Sequence, residues 1–113
     1  MYIYCEDKTC TNGTVTFTPV VGGIPLFSEV LFASASGEVN SSAMQHTVLC
    51  GVQNLSATSV VFNCVAGTGI LLGGTSLVAA NNIKIRCFIV GKENPSVLSN
   101  LTNKWDGVTF YKV

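Results

Sequence analysis

The side chains in this sequence that could do chemistry are few: five cysteines, one histidine and six carboxylates. A cysteine nucleophile needs a base within hydrogen-bond reach. His46 and Cys50 stand four positions apart in a stretch that reads as a strand, where they share a face but lie roughly 13 Å apart by strand rise. They do not pair, and His46 reads as a residue opening a strand. General acid–base work asks for two titratable groups of different environment facing one substrate. Glu6, Asp7, Glu29, Glu38, Glu93 and Asp106 fall nearly all in expected turns or strand ends and read as solvated loop charges. Zinc ligation needs Cys/His pairs two to five residues apart, and only Cys5 and Cys10 come near that spacing. Gly67-Thr68-Gly69 followed by Gly73-Gly74 lacks the lysine and helix of a phosphate-binding loop and reads as a turn signal. No catalytic, cofactor-binding or metal-ligating set is expected.

Two further groups of residues bear on partners. Asn-x-Ser/Thr triplets at Asn12, Asn40, Asn54 and Asn100 match the glycosylation acceptor pattern. No basic and apolar leader opens the chain at Met1, so they read as chance matches in a chain rich in Asn, Ser and Thr. Trp105, Phe110 and Tyr111 are candidates for stacking on a sugar or a partner chain, Trp105 and Tyr111 first among them. The competing reading makes them aromatics that close a late strand against the core.

The elements that must hold these residues are strands. In Thr14 to Thr18 the threonines point one way and Val15 and Phe17 the other. Phe27 to Ala35 is a second candidate. His46 to Gln53 and Thr58 to Val65 flank a polar linker of hairpin length, with Val48, Cys50 and Val52 on one face of the first strand and Val60, Phe62 and Cys64 on one face of the second. Asn82 to Gly91 sets Ile83, Ile85, Cys87 and Ile89 against Lys84, Arg86, Phe88 and Val90. Cys50, Cys64 and Cys87 therefore read as reduced core residues, with a Cys50–Cys64 cross-strand bridge as the alternative. Cys5 and Cys10 straddle the polar stretch Glu6-Asp7-Lys8-Thr9, read as a turn, and could close a small loop under oxidising conditions. Nothing carries a convincing helical period, though one helical turn is allowed for at Pro95 to Asn103. The fold expected is all-β, one domain over residues 1–113, an antiparallel sandwich or a jelly-roll-like barrel.

Composition bounds the surface. The chain has 113 residues, is 48% hydrophobic and only 11% charged, and its six basic and six acidic residues cancel. Ordinary soluble proteins carry about 25% charge. So few charges imply either an exterior of Ser, Thr, Asn and Gly or burial in an assembly. No basic stripe follows a phosphate backbone, which argues against nucleic acid. The weakly polar run Val65 to Ala80 is broken by glycines and falls short of the ~20 apolar residues of a membrane span. It reads as a buried Gly-rich turn whose Leu71, Leu72, Leu77 and Val78 exceed what one small core absorbs, and these four are the candidate inter-subunit surface.

The progression Val15-Thr16-Phe17-Thr18-Pro19, Val30 to Gly37, Val52 to Phe62 and Ile83 to Gly91 resembles small β-sandwich modules of bacteriophage virions, including tail-fibre tips related to H-type lectins. The resemblance covers roughly residues 14 to 91 and rests on pattern. Phe88 stands where the lectin pattern has a late-strand tryptophan, so no sugar-binding residue is carried over. The resemblance implies a homotrimer, and no fibre shaft or anchor is expected. The expectation is a non-enzymatic protein of the virion surface, made in the host cytoplasm: a capsid decoration or cement protein contacting viral capsid or tail proteins. The alternative is a tail-fibre module that recognises a host-surface glycan.

Overall fold

The computed structural model describes residues 1–21, 23–39, 45–68 and 76–95, together with the backbone of 104–105 and 108–112. No described residue is helical, and no described helix could cross a membrane. Among the described residues eleven strands run in chain order: β1 (Tyr2–Thr9), β2 (Thr14–Phe17), β3 (Val20–Val21), β4 (Ile24–Pro25), β5 (Phe27–Gly37), β6 (Gln45–Leu55), β7 (Val60–Thr68), β8 (Ser76–Ala79), β9 (Lys84–Glu93), β10 (Lys104–Trp105) and β11 (Val108–Lys112). All pairings are antiparallel.

The first sheet has the order β10-β11-β1-β9-β5. Period-two alternation makes it one-sided. In β9, Ile85, Cys87 and Ile89 are buried, while Lys84, Arg86 and Phe88 are exposed. In β1, Tyr2 and Tyr4 point inward, in register with Gly91 and Ile89. The second sheet has β7 at its centre, β6 along one side, and β2 and β8 end to end along the other.

That split side is organised around one residue. The Cys64 amide donates to the Gly13 carbonyl at 2.8 Å, and the Cys64 carbonyl accepts from the Ala80 amide at 3.0 Å. The last residue before β2 and the first after β8 thus meet at the same residue of β7, and the Gly13 amide donates to the Ala80 carbonyl at 2.7 Å. One turn earlier, the Cys10 amide donates to Ile83 O and the Asn82 amide to Cys10 O. The β1–β2 and β8–β9 connections therefore cross from one sheet to the other side by side. Asn12-Gly13 turns the chain with φ of 51° and 83°, the pair of positive values that a two-residue hairpin turn demands. A Cβ at Gly13 would lie 3.1 Å from the Ala79 Cβ.

The inner faces form a single cluster in a sandwich-like arrangement. It contains Tyr4, Phe27, Ile85, Cys87 and Ile89 on one side and Val15, Phe17, Val60, Phe62 and Cys64 on the other. Phe17 and Phe62 meet edge to face, with ring centroids 5.8 Å apart at 76°. At the edge shared by β5 and β6 the sheets approach so closely that a Cβ on Gly37 would collide with Val48. The whole is elongated, 54 × 22 × 22 Å.

Several expectations are corrected. Glu6-Asp7-Lys8-Thr9 is the second half of β1, not a turn, because β9 supplies ladder partners for all four. Glu6, Asp7 and Glu29 accordingly sit within strands and not in loops. Cys5 and Cys10 are separated by extended chain, roughly 16 Å at strand rise. Cys5 lies on the outer face while Cys10 is fully buried, and both are free, so no small loop closes between them. The reading of Val65 to Ala80 as a buried turn fails over its ends. Val65 to Thr68 belongs to β7, and Ser76 to Ala79 form a strand exposed throughout. The expected helical turn at Pro95 to Asn103 lies, from residue 96 on, outside the described residues.

Candidate assembly surface

The outward positions of the first sheet build apolar rows. Cross-strand partners point to the same side, so Phe32, Val90 and Ile3 form one row across β5, β9 and β1, and Phe88 and Cys5 form the next with Ser34 beside them. Phe32 is 54% and Phe88 41% exposed, large values for phenylalanine on a sheet face. Leu31, 45% exposed, is the extra residue where the β5–β9 register shifts between Val30 and Phe32. The backbone of β11 extends the first row, since Tyr111 pairs with Ile3. Trp105 belongs to the β10–β11 hairpin, opposite Val108. The structure thus brings the backbones of Trp105 and Tyr111 to the edge of this sheet.

The polar end of the same face is a charge knot. Arg86 donates from Nε to Asp7 Oδ1 at 2.7 Å and from Nη2 to Asp7 Oδ2 at 3.0 Å, and Lys84 Nζ stands 3.6 Å from Oδ2. The paired guanidinium holds the Asp7 carboxyl below its usual value. Asp7, Arg86, Lys84, Ser36, Gly37 and Glu38 line a shallow depression of about 260 Å³.

The second sheet repeats the apolar pattern. On its outer side Leu49, Val65 and Ala79 form a row, followed by Thr47, Gly67 and Leu77. Leu77 is 60% exposed and Leu49 54%. Val78 is 46% exposed although its partner Ala66 is buried. Of the four residues expected at a subunit interface, Leu77 and Val78 are thus on an exposed strand, and Leu71 and Leu72 lie outside the described residues. Sequence reasoning missed Phe32, Phe88, Leu49 and Ile3, whose signal was the strict alternation that placed the other side of each strand in the core.

The side of β6 away from β7 has no ladder partner among the described residues and adds backbone capacity. Cys64 directs its amide and carbonyl away from β6, so Cys50 opposite it has both backbone groups on the open side, as by alternation do Val48 and Val52. β6 carries no Lys, Arg, Asp, Glu or Pro, the residues that usually block edge pairing.

The groups considered for chemistry are dispersed. His46 is the extra residue in the β6 register shift between Gln45 and Thr47, and its ring borders Gly67 on the outer side, across the sheet from Cys50. This corrects the expectation that the two share a face. Among the described residues no three His, Cys, Asp or Glu gather as metal ligands. Cys50, Cys64 and Cys87 all face inward, and burial pushes the Cys64 and Cys87 thiols up to about 12. Of the glycosylation triplets, Asn12 lies in the hairpin turn and Asn54 in β6, while Asn40 and Asn100 lie outside the described residues. Comparison with family models, curated proteins and solved structures finds no match.

Proposed function

We propose that this chain is a non-enzymatic structural protein of the bacteriophage virion surface, a homotrimer that decorates and cements the capsid. The observation that carries the reading is the pair of apolar outer faces. Exposed apolar rows on both sheets, in a chain with 11% charged residues, mark surface meant to be covered. The phage assignment rests on the resemblance of residues 14 to 91 to virion sandwich modules. A cement protein acts by area: it lays a dry footprint across neighbouring shell subunits, each contact weak and the sum stable. Its ladder-bonded sheets suit that role because a preorganised backbone lowers the ordering cost on binding. The test is co-sedimentation of purified protein with assembled shells. Retention on shells, weakened by Phe32→Asp, supports the reading; absence of shell binding combined with sugar-competable retention on host cells overturns it.

The polar depression beside Asp7 and Arg86 favours the second reading, a receptor-binding module of a tail fibre. Paired carboxylate and guanidinium groups in a shallow hollow are suited to sugar hydroxyls. Its lining holds no aromatic. Sugar-competable retention on host cells that is lost in Arg86→Ala would support it.

A further inference from the structure

The geometry points to a redox-modifiable dithiol, Cys50 on β6 and Cys64 on β7, which closes to an intramolecular cross-strand disulfide on exposure to a small disulfide oxidant. The two residues are direct partners in the β6–β7 register and both point into the sandwich. Register alone does not license a bond; the hydrogen-bonding phase does. Cys64 gives its amide to Gly13 and its carbonyl to Ala80, on the far side of β7, so Cys50 and Cys64 form a non-hydrogen-bonded pair. Such pairs bring Cα atoms to about 4.5 Å, the close class of antiparallel partners. That value lies within the separation a disulfide spans, from about 4.4 Å upward.

The two side chains lie near enough to affect each other's protonation. Their access differs. Cys64 is 1% exposed, whereas Cys50 lies half-buried on the edge strand. Cys50 is therefore the attacking group. Its thiolate attacks one sulfur of the oxidant and expels the first thiolate, leaving a mixed disulfide on Cys50. Cys64, losing its proton, attacks the Cys50 sulfur and expels the second thiolate. Two protons and two electrons pass from the protein to the oxidant, which leaves as two thiols. Of the other three, Cys5 faces outward opposite Phe88 and Cys87 stands opposite Glu6 and Ala35, while Cys10 is buried near the pair but is tied by its backbone to Ile83 and Asn82 and is not a register partner of either cysteine.

The test incubates the reduced full chain with oxidised glutathione at a pH of about 8.5, near the ordinary thiol pKa. Acid quenching, alkylation in denaturant, intact mass and a peptide map follow. The expected product has lost two hydrogens, keeps three alkylatable thiols of the five present (five minus two) and yields one linked peptide pair containing Cys50 and Cys64. Cys50→Ala should fold, form no bridge and leave Cys64 unmodified. Five alkylatable thiols, glutathione adducts without a bridge, or a bridge between other cysteines in the wild-type chain would each overturn the proposal.

Discussion

Phe62 shows how much rests on single side chains. It is 1% exposed and meets Phe17 edge to face, so truncation removes both transfer energy and a ring contact. Phe62→Ala should cost about 3–5 kcal/mol, read from denaturant midpoints at unchanged slope. The buried thiols make a prediction of opposite visibility, one seen only at high pH. Cys64 and Cys87 have folded-state values raised from 9.0 to about 12, because burial disfavours the thiolate. The unfolded chain therefore releases protons first. Their stabilising contribution is intact below pH 9.0 and is lost as pH rises toward about 12. Tyr4, also raised by burial, acts in the same sense. Alkaline titration of the melting temperature should show this fall, and replacing Cys87 by Ala should shrink it. A curve flat from neutral pH to pH 11, roughly two units past the ordinary thiol value, would contradict the burial of these groups.

At the scale of elements, the corner where β2 and β8 abut depends on Gly13. Its φ of +83° lies in the left-handed region, and a Cβ there would press on Ala79. Gly13→Ala should cost about 1–2 kcal/mol from the backbone alone, measured by thermal or denaturant unfolding. The Cys50–Cys64 bridge would act in the other direction. Closing a loop of about 15 residues stabilises by about 3 kcal/mol in the chain-entropy account. The elements also show where sequence reading succeeds. β2, β6, β7 and β9 were legible because apolar residues recur at every second position, and β5 because glycines bound it; Phe17, Phe62, Ile85 and Ile89 are buried as that period requires. β1 was missed because its second half, Glu6 to Thr9, is polar in a way that mimics a turn. It is a strand because β9 offers it a full ladder and Arg86 a partner for Asp7, information that lies 79 residues away. Asn12-Gly13 carries a hairpin-turn signal of its own beside the glycosylation triplet that begins at Asn12. The exposed rows were half legible: alternation fixes which residues face outward, but pairing across strands decides that Phe32, Val90 and Ile3 fall in line.

For the whole molecule, the question is what covers those rows. Two sheets whose outer sides carry Phe32, Phe88, Leu49 and Leu77 expose apolar surface that an isolated small domain seldom tolerates. Charged substitution at Leu72 or Leu77 should give monomers or insoluble protein if the Val65 to Ala80 segment is the subunit contact, which size-exclusion chromatography would register. On the proposed capsid role, Phe32→Asp should leave the solution mass of the protein unchanged while weakening co-sedimentation with shells. The most direct measurement is the absolute solution mass of the purified chain by light scattering, with and without reductant. The account predicts three chain masses of 11.9 kDa in both conditions; a stable monomer at working concentration would contradict it.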